Sequence, residues 1–255
     1  MSPGGDLLQA VIELAQLTGA AALRHAGEAL KVETKGDGSP VTRADREAET
    51  AARAWLEARF PQDGILGEEF GAIRPDAARQ WLVDPVDGTR SFVRGVPLWA
   101  ALVAVRQGDQ VIAGAASFPA LGENVAAARG AGAWWNGRPC AVSDVANLAE
   151  AAVLTTDERF AAAPERRSAW ERLAASAGLS RSWGDAYGYL LVASGRAEAM
   201  LDGRTEGWDL APFAVIIEEA GGVFTDWAGR PTPFGGDAIA TNAALAERVR
   251  ATVRT

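Results

Sequence analysis

Apolar residues recur at helical spacing in two stretches near the start of the chain, residues 6–30 and residues 43–60. An apolar residue at every third or fourth position is typical of a helix that buries one face. In the first stretch that face carries Leu7, Val11, Leu14 and Ala15. We therefore predict a helix over each stretch.

Shorter apolar runs bounded by turn residues predict strands, and residues 107–110 (QGDQ) predict a hairpin between two of them. The strands are predicted at residues 65–67, 81–84, 98–106, 111–118, 153–156, 197–202, 223–225 and 239–241, with a further pair within 124–135. More helices are predicted at residues 164–177, 187–195, 210–220 and 243–253. Strands interleaved with pairs of helices favour a layered α+β fold, with a soft boundary near residues 143–149.

One short apolar run leads directly into the motif DPVDGT, which places two carboxylates in a turn. We expect Pro85 to end the strand because it has no N–H to donate, so that Asp84 and Asp87 leave the sheet together. Magnesium is usually bound by one or two carboxylates and substrate phosphate. Gly88 permits close backbone approach, and Thr89 offers a hydroxyl and an N–H to an anion. The motif therefore indicates a metal and phosphate site, although an Asp-rich loop that only caps a helix is the alternative.

Other carboxylates lie near predicted element ends. Glu68 and Glu69 follow a strand and are expected to point to opposite faces, so that one could bind a metal while the other supports it; a solvated surface pair is the alternative. Asp209 stands at the start of a predicted helix, and the alternative to a role in the site is an ordinary helix N-cap. Thr42 and Asp45 have capping-box spacing.

The order of these motifs supplies a resemblance over nearly the whole chain. Lys35 with GSPVTRAD, then GEE, DPVDGT and WD followed by EEAGG, resembles the inositol monophosphatase superfamily of magnesium-dependent, lithium-sensitive phosphatases. The segments at residues 90–104 and 183–202 are most similar to its histidinol-phosphatase branch. The resemblance implies an αβαβα sandwich in one domain over residues 1–255, with a metal-binding first half and a substrate-selecting second half. It also implies two or three Mg²⁺ ions, a small phosphate monoester substrate and a homodimer.

The resemblance further implies roles for individual residues. Thr89, held by Asp45, would work with Glu68 to position and deprotonate water, and the N–H groups of Gly88 and Thr89 would bind phosphate. Lys35 would have no assigned role, and neither would Thr42. The implied metal ligands are Glu68, Asp84, Asp87, Asp209, the carbonyl of Val86 and, at a more weakly held ion, Glu69.

Substrate choice is expected to depend on the second half of the chain. Histidinol phosphate carries an ammonium group and an imidazole, which acidic side chains would favour. Asp185 and Asp202 are therefore candidates to bind the amine or the ring, and Arg90 is a further candidate to contact the substrate. The alternatives are that Asp185 is a helix N-cap and that Asp202 is a solvated strand end.

Other phosphatase mechanisms fit the chain less well. A nucleophilic-aspartate enzyme uses DxDGT, and the additional residue in DPVDGT changes the relative direction of the two carboxylates. Cys140 lacks a glycine-rich anion loop and a following arginine, which favours a small buried role. His25, the only histidine, falls within a helical pattern and is assigned to the surface or to packing.

Composition narrows the function classes. The 255-residue chain has a net charge of −8, which argues against a nucleic-acid partner and requires bound cations to attract phosphate. We find no apolar run of about 20 residues and no signal peptide, so no membrane is expected. A single cysteine fits a cytoplasmic protein. The remaining alternatives are an inositol-1-phosphate or broad sugar phosphatase, and a catalytically silent binding or regulatory relative.

Overall fold

The computed structural model of this protein describes residues 3–28, 31–36 and 38–254. The helices within these residues are α1 (Pro3–Leu23), α2 (Arg43–Arg59), α3 (Thr89–Phe92), α4 (Arg167–Ser176), α5 (Ala186–Ala193), α6 (Gly207–Glu219) and α7 (Ala246–Arg254). The strands are β1 (Glu33–Thr34), β2 (Pro40–Val41), β3 (Gly64–Gly67), β4 (Gly71–Ile73), β5 (Arg79–Asp87), β6 (Ala100–Gln107), β7 (Gln110–Phe118), β8 (Glu123–Ala128), β9 (Ala133–Trp135), β10 (Arg138–Cys140), β11 (Ala152–Thr155), β12 (Leu179–Arg181), β13 (Ala199–Asp202), β14 (Val223–Thr225) and β15 (Ala238–Thr241).

Two large sheets organise the fold. The first has eight strands in the order β10-β9-β8-β7-β6-β5-β3-β4, and its β6–β7 hairpin turns where predicted. The second has five strands in the order β12-β11-β13-β15-β14. The chain passes from the first sheet to the second between Cys140 and Ala152. The soft boundary near residues 143–149 falls in this connection and stays a prediction.

Helices cover both faces of each sheet. The amphipathic helices α1 and α2 pack on the outer face of the first sheet, where Val11 and Leu14 are fully buried as predicted. The apolar helices α5 and α6 lie between the sheets, with Phe213 in the central core. Leu173 of α4 and Val249 of α7 pack against the outer side of the second sheet. The five layers confirm the αβαβα sandwich.

Helix α1 is also long and apolar enough, by length and composition, to cross a membrane over Asp6–Leu23. Its buried face packs on the first sheet and α2, which explains the apolar composition by core packing. The helix ends at Leu23, earlier than predicted, and turns follow. The last two residues of the predicted helix, Ala29 and Leu30, lie outside the described residues.

The predicted end of β5 at Pro85 is wrong. The strand continues to Asp87, and its pairing with β6 shifts register between Asp84 and Asp87. Asp84 pairs with Leu102, whereas Asp87 pairs with Ala100. A bulge accommodates a proline because the ladder is already interrupted where the N–H is missing.

Short edge elements were not predicted. The strands β4, β10 and β12 contain three residues each. Their sequences, GAI, RPC and LSR, contain few of the β-branched and aromatic residues that favour strands, and long-range pairing supplies their order. The predicted helix at residues 164–177 begins instead with a 3₁₀ turn, Pro164–Arg166, before α4.

Candidate active site

Asp84 and Asp87 lie on either side of the β5 bulge. This end of β5 lies next to the start of α5. The backbone N–H of Val86 donates to Asp84 Oδ1 at 2.9 Å. The first amide of α5, at Ala186, donates to Asp87 Oδ2 at 2.7 Å. The bulge and the start of α5 therefore orient the two carboxylates.

Asp209 comes to the same place from the first turn of α6. Its Oδ2 accepts the backbone N–H of Glu206 at 2.9 Å, so it does cap the helix start, from the third helical position. Capping is not its only contact. One carboxylate oxygen from each of Asp84, Asp87 and Asp209 lies within 4.8 Å of the others. The fold thus brings Asp84 and Asp209, which are 125 positions apart in the chain, into one cluster.

Burial raises the pKa of all three carboxyl groups. For Asp84 and Asp87 the pKa lies well above the usual range, because burial is reinforced by neighbouring carboxylates. For Asp209 burial raises the pKa to about 7, against the lowering effect of the Glu206 amide. Crowding of buried like charges is costly unless a cation joins them.

The donor set therefore fits a hard divalent cation. All three side chains offer oxygen, the atom that Mg²⁺ and Ca²⁺ prefer. Burial and the neighbouring carboxylates raise their pKa values, and a bound cation would offset both effects.

Glu68 and Glu69 do not point to opposite faces. Both lie in the turn after β3, where strand alternation no longer applies, and both reach the same ammonium group. Lys35 Nζ is 2.7 Å from Glu68 Oε1 and 2.5 Å from Glu69 Oε1. Burial opposes the charge on Lys35, but its bonds to the two glutamates prevail and raise its pKa. The solvated-pair alternative is also wrong, since the Glu69 side chain is only 4% exposed.

Thr89 connects the bulge to α2. Its hydroxyl lies 2.9 Å from the carbonyl oxygen of Val86 and 3.3 Å from Asp45 Oδ1, and it can donate to only one of them at a time. Asp45 Oδ2 accepts the N–H and the hydroxyl of Thr42 at 2.8 and 2.6 Å. The predicted capping box of Thr42 and Asp45 is confirmed. The other carboxylate oxygen of Asp45, Oδ1, faces Thr89.

Gly88 permits the tight turn into α3. Its φ is 81°, in the left-handed region where a Cβ is disfavoured. A Cβ there would also stand 3.0 Å from the carbonyl oxygen of Leu98 and 3.2 Å from Asp185 Oδ2. Glycine therefore keeps the backbone open beside the cluster.

Asp185 occupies the N-cap position of α5, but the helix amide at Ala186 binds Asp87 instead. The backbone N–H of Asp185 donates to Thr156 Oγ1 at 2.9 Å, and the φ of Asp185 is 49°, an unfavourable value for a residue other than glycine. Burial raises its pKa to about 6; Asp202 adds to the shift, while Arg90 opposes it. The simple N-cap alternative is therefore wrong.

Asp202 is not a solvated strand end. The residue is 5% exposed, at the end of β13, and Oδ1 accepts the N–H of Thr156 at 3.1 Å. Oδ2 accepts the hydroxyl of Tyr189 at 2.8 Å. Tyr189 was not predicted, because its helical position within α5 signals only packing. Its hydroxyl becomes significant when β13 is placed beside α5.

Asp185 and Asp202 line two adjoining cavities. The larger, about 600 Å³, also contains Arg90. The smaller, about 120 Å³, reaches Asp87 and Asp209. The lining of the larger cavity contains three arginines and three aspartates in all, so this cavity is lined by both signs of charge. Residues shared with the smaller cavity, Asp185 and Asp202 among them, connect it to the carboxylate cluster.

A separate cavity of about 610 Å³ lies between α1 and β8. Its lining is uncharged and includes Gln16 and Trp134. Without a carboxylate or a cation in that lining, it suits neither a metal nor a phosphate.

His25 and Cys140, for which the sequence favours no catalytic role, lie in structural surroundings. His25 is buried, with Nε2 2.9 Å from Glu47 and Nδ1 3.2 Å from Glu28. Cys140 is half-buried at the end of β10, and burial raises its pKa to about 11. A thiol that is protonated at neutral pH is a poor nucleophile.

Comparisons with known proteins show which proteins this chain is similar to. A histidinol-phosphatase from Chlorobaculum parvum is 42% identical over 91% of this chain and 90% of its own length. An inositol-1-monophosphatase from Mesorhizobium japonicum is 33% identical over 88% of this chain and 86% of its own length. The crystal structure of the extragenic suppressor protein SuhB from Bartonella henselae superposes with a TM-score of 0.92 at 28% identity, over 98% of this chain and 99% of that one. The sequence profile of the inositol monophosphatase family matches residues 6–255, and the chain therefore belongs to this family of phosphomonoesterases.

Proposed function

We propose that the protein hydrolyses L-histidinol phosphate to L-histidinol and phosphate with Mg²⁺ as cofactor, in histidine biosynthesis. The observation that carries the proposal is the junction between the Asp84, Asp87 and Asp209 cluster and a pocket that contains Asp185 and Asp202. The cluster suits a metal-dependent phosphatase, and the two aspartates of the pocket offer carboxylates to a cationic group of the substrate, beside arginines that suit its phosphate.

The metal ligands in this proposal are those of the resemblance, with two or three ions in all. They are Glu68, Asp84, Asp87, Asp209, the carbonyl oxygen of Val86 and, at a more weakly held ion, Glu69. Bound Mg²⁺ supplies positive charge for the phosphate oxygens and lowers the pKa of water. Lys35 already bridges Glu68 and Glu69, which supports the view that this turn attracts a cation.

Protein groups position the reactants beside the cluster. Thr89 and Glu68 are proposed to orient the attacking water and accept its proton, with Asp45 orienting the Thr89 hydroxyl. The N–H groups of Gly88 and Thr89 are proposed to bind the phosphate, since the first amides of a helical turn are free to donate. Thr42 serves this arrangement indirectly, because it holds Asp45.

The pocket supports histidinol phosphate over inositol phosphate. Asp185 and Asp202 offer carboxylates to the ammonium or imidazole, whereas an inositol carries only hydroxyl groups. Arg90 lines the same cavity and is proposed to contact the substrate or balance Asp185. The higher identity to the relative named histidinol-phosphatase, 42% against 33%, favours the same choice.

An inositol-1-phosphate or sugar phosphatase is the second candidate, because a relative with that name covers most of the chain. A catalytically silent relative is less consistent with intact Glu68, Asp84, Asp87, Thr89 and Asp209. We further propose a cytoplasmic homodimer, each subunit a single domain with a soft boundary near residues 143–149.

A side-by-side assay separates these candidates. Hydrolysis of p-nitrophenyl phosphate with and without Mg²⁺ identifies an active metal-dependent enzyme. Histidinol phosphate should then exceed inositol-1-phosphate in kcat/KM by at least about tenfold, or about 1.4 kcal/mol of transition-state binding. Equal turnover of the two esters would refute the substrate while leaving the phosphatase in place.

A further inference from the structure

We propose that Glu49 is a positioning residue that fixes the turn carrying Glu68 and Glu69, and thereby sets the affinity of the site for metal. The inference rests on the proposed function, because it takes these two glutamates as metal ligands. Glu49 lies in α2 and is fully buried at 0% exposure.

The carboxylate of Glu49 holds the backbone of the turn directly. Its Oε2 accepts the N–H of Glu69 at 2.6 Å, and its Oε1 accepts the N–H of Phe70 at 3.2 Å. Hydrogen bonds to an ionised acceptor are stronger than neutral ones. Two successive amides of the turn are therefore fixed to one side chain of a helix.

Arg53 completes the arrangement one helical turn further along α2. Its Nε donates to Glu49 Oε1 at 2.7 Å, and Nη2 donates to the carbonyl oxygen of Gly71. The guanidinium thus neutralises the buried carboxylate and holds the far end of the same turn. A buried charge with a partner and satisfied hydrogen bonds can be kept at a fixed position.

Gly67 shows how closely the turn approaches Glu49. A Cβ at this position would lie 2.1 Å from Glu49 Oε1, a distance that neither atom could tolerate. Its absence lets the backbone before Glu68 pass directly over the carboxylate. The contact therefore requires a glycine at the end of β3, directly before the turn, and a carboxylate on the helix.

Helix α2 thereby aligns two separate parts of the site. Asp45, Glu49 and Arg53 are spaced four residues apart and share one buried face. Asp45 faces the Thr89 hydroxyl, whereas Glu49 holds the turn of the two glutamates. A change in Glu49 should consequently move the turn that carries Glu68 and Glu69 and leave Asp45 and Thr89 in place.

The test compares Glu49→Gln with Glu198→Gln. The amide is nearly isosteric, but its NH₂ cannot accept a hydrogen bond, so one side of the Glu49 contact is lost. Glu198 is a matched control: it is also buried, and it accepts Ser143 Oγ at 2.8 Å and the Ala152 N–H at 2.6 Å in the second sheet. Both variants should lose thermal stability, so stability alone does not distinguish a positioning role.

Metal binding distinguishes it. Calorimetric titration of the metal-free proteins with Mg²⁺ should show that Glu49→Gln weakens binding at least tenfold, while Glu198→Gln stays within twofold of the wild type. The Mg²⁺ concentration for half-maximal hydrolysis should rise equally, with kcat recovering at saturating metal. Gly67→Ala attacks the same contact from the turn and should weaken binding in the same direction, which covers the case of a Glu49 variant that does not fold.

A folded Glu49→Gln protein with wild-type Mg²⁺ affinity would overturn the inference, and so would an equal loss in Glu198→Gln. If both Glu49→Gln and Gly67→Ala fail to fold while Glu198→Gln folds, the role of Glu49 is structural and the inference is likewise overturned. The proposed function fails separately, when the wild-type protein shows no Mg²⁺-dependent hydrolysis.

Discussion

Replacing Asp87 with asparagine should have opposite effects on stability and on activity. Asp87 is one of three carboxylates whose oxygens lie within 4.8 Å of one another. At that separation, two unit charges repel by about 3 kcal/mol at an effective dielectric constant near 20. Protonation already relieves part of this repulsion in the metal-free protein. Because Asp87→Asn removes what remains, we expect it to raise the free energy of unfolding by about 1–3 kcal/mol.

The same substitution removes a charge that the metal requires. Asparagine keeps an oxygen for the Ala186 N–H, so the start of α5 should remain in place. Mg²⁺-dependent hydrolysis should nevertheless fall by more than about a hundredfold, the scale of losing a preorganised electrostatic contact. The stabilisation that Mg²⁺ gives the wild type should shrink as well.

Thermal unfolding in EDTA and in Mg²⁺ measures both effects, at about 2–4 °C per kcal/mol for a chain of this size. Asp226→Asn is the matched control, because Asp226 is buried but bound to Arg230 at 2.6 Å, so its loss should lower stability. A metal-free Asp87→Asn protein that is less stable than the wild type would refute the idea that the cluster is electrostatically strained. Retained activity would refute the metal role.

Three further outcomes are expected. The carboxyl of Asp209 has a pKa raised from 3.8 to about 7, so between these pH values the folded protein binds a proton that the unfolded chain has released. The stability of the metal-free protein should therefore fall as the pH rises from about 4 to about 7, and melting curves in EDTA measure this fall. Lys35→Gln removes the ammonium that binds Glu68 and Glu69, and calorimetry should then show Mg²⁺ binding that is tighter by about threefold or more; unchanged affinity would mean that Lys35 and the metal do not compete. Asp185→Asn should reduce kcat/KM for histidinol phosphate more than for a phosphate ester without a cationic group, such as p-nitrophenyl phosphate, whereas equal losses would assign Asp185 to structure.

The local sequence was sufficient to predict most of the elements. The helical spacing of Val11 and Leu14 predicted the buried face of α1, and the polar QGDQ run predicted the β6–β7 hairpin. Both features depend on neighbours within a few positions, where periodicity and turn chemistry act. The motif order also led to the correct family and to the αβαβα layers.

Predictions from local rules failed where distant segments meet. Pro85 does not end β5, because pairing with β6 resumes beyond a bulge. Glu68 and Glu69 converge on Lys35 because a turn, not a strand, carries them.

What the sequence alone determined was which groups are present and in which elements they lie. Tertiary structure decided which carboxylates share a charge environment. Asp209 joins Asp84 only when α6 packs between the sheets, and the buried Asp202 accepts hydrogen bonds from Tyr189 and Thr156, which lie on other elements. Contacts between residues far apart in the chain leave no local periodicity, since they depend on the packing of whole layers. Charge crowding, and with it the chemistry of the site, therefore arises only in the folded molecule.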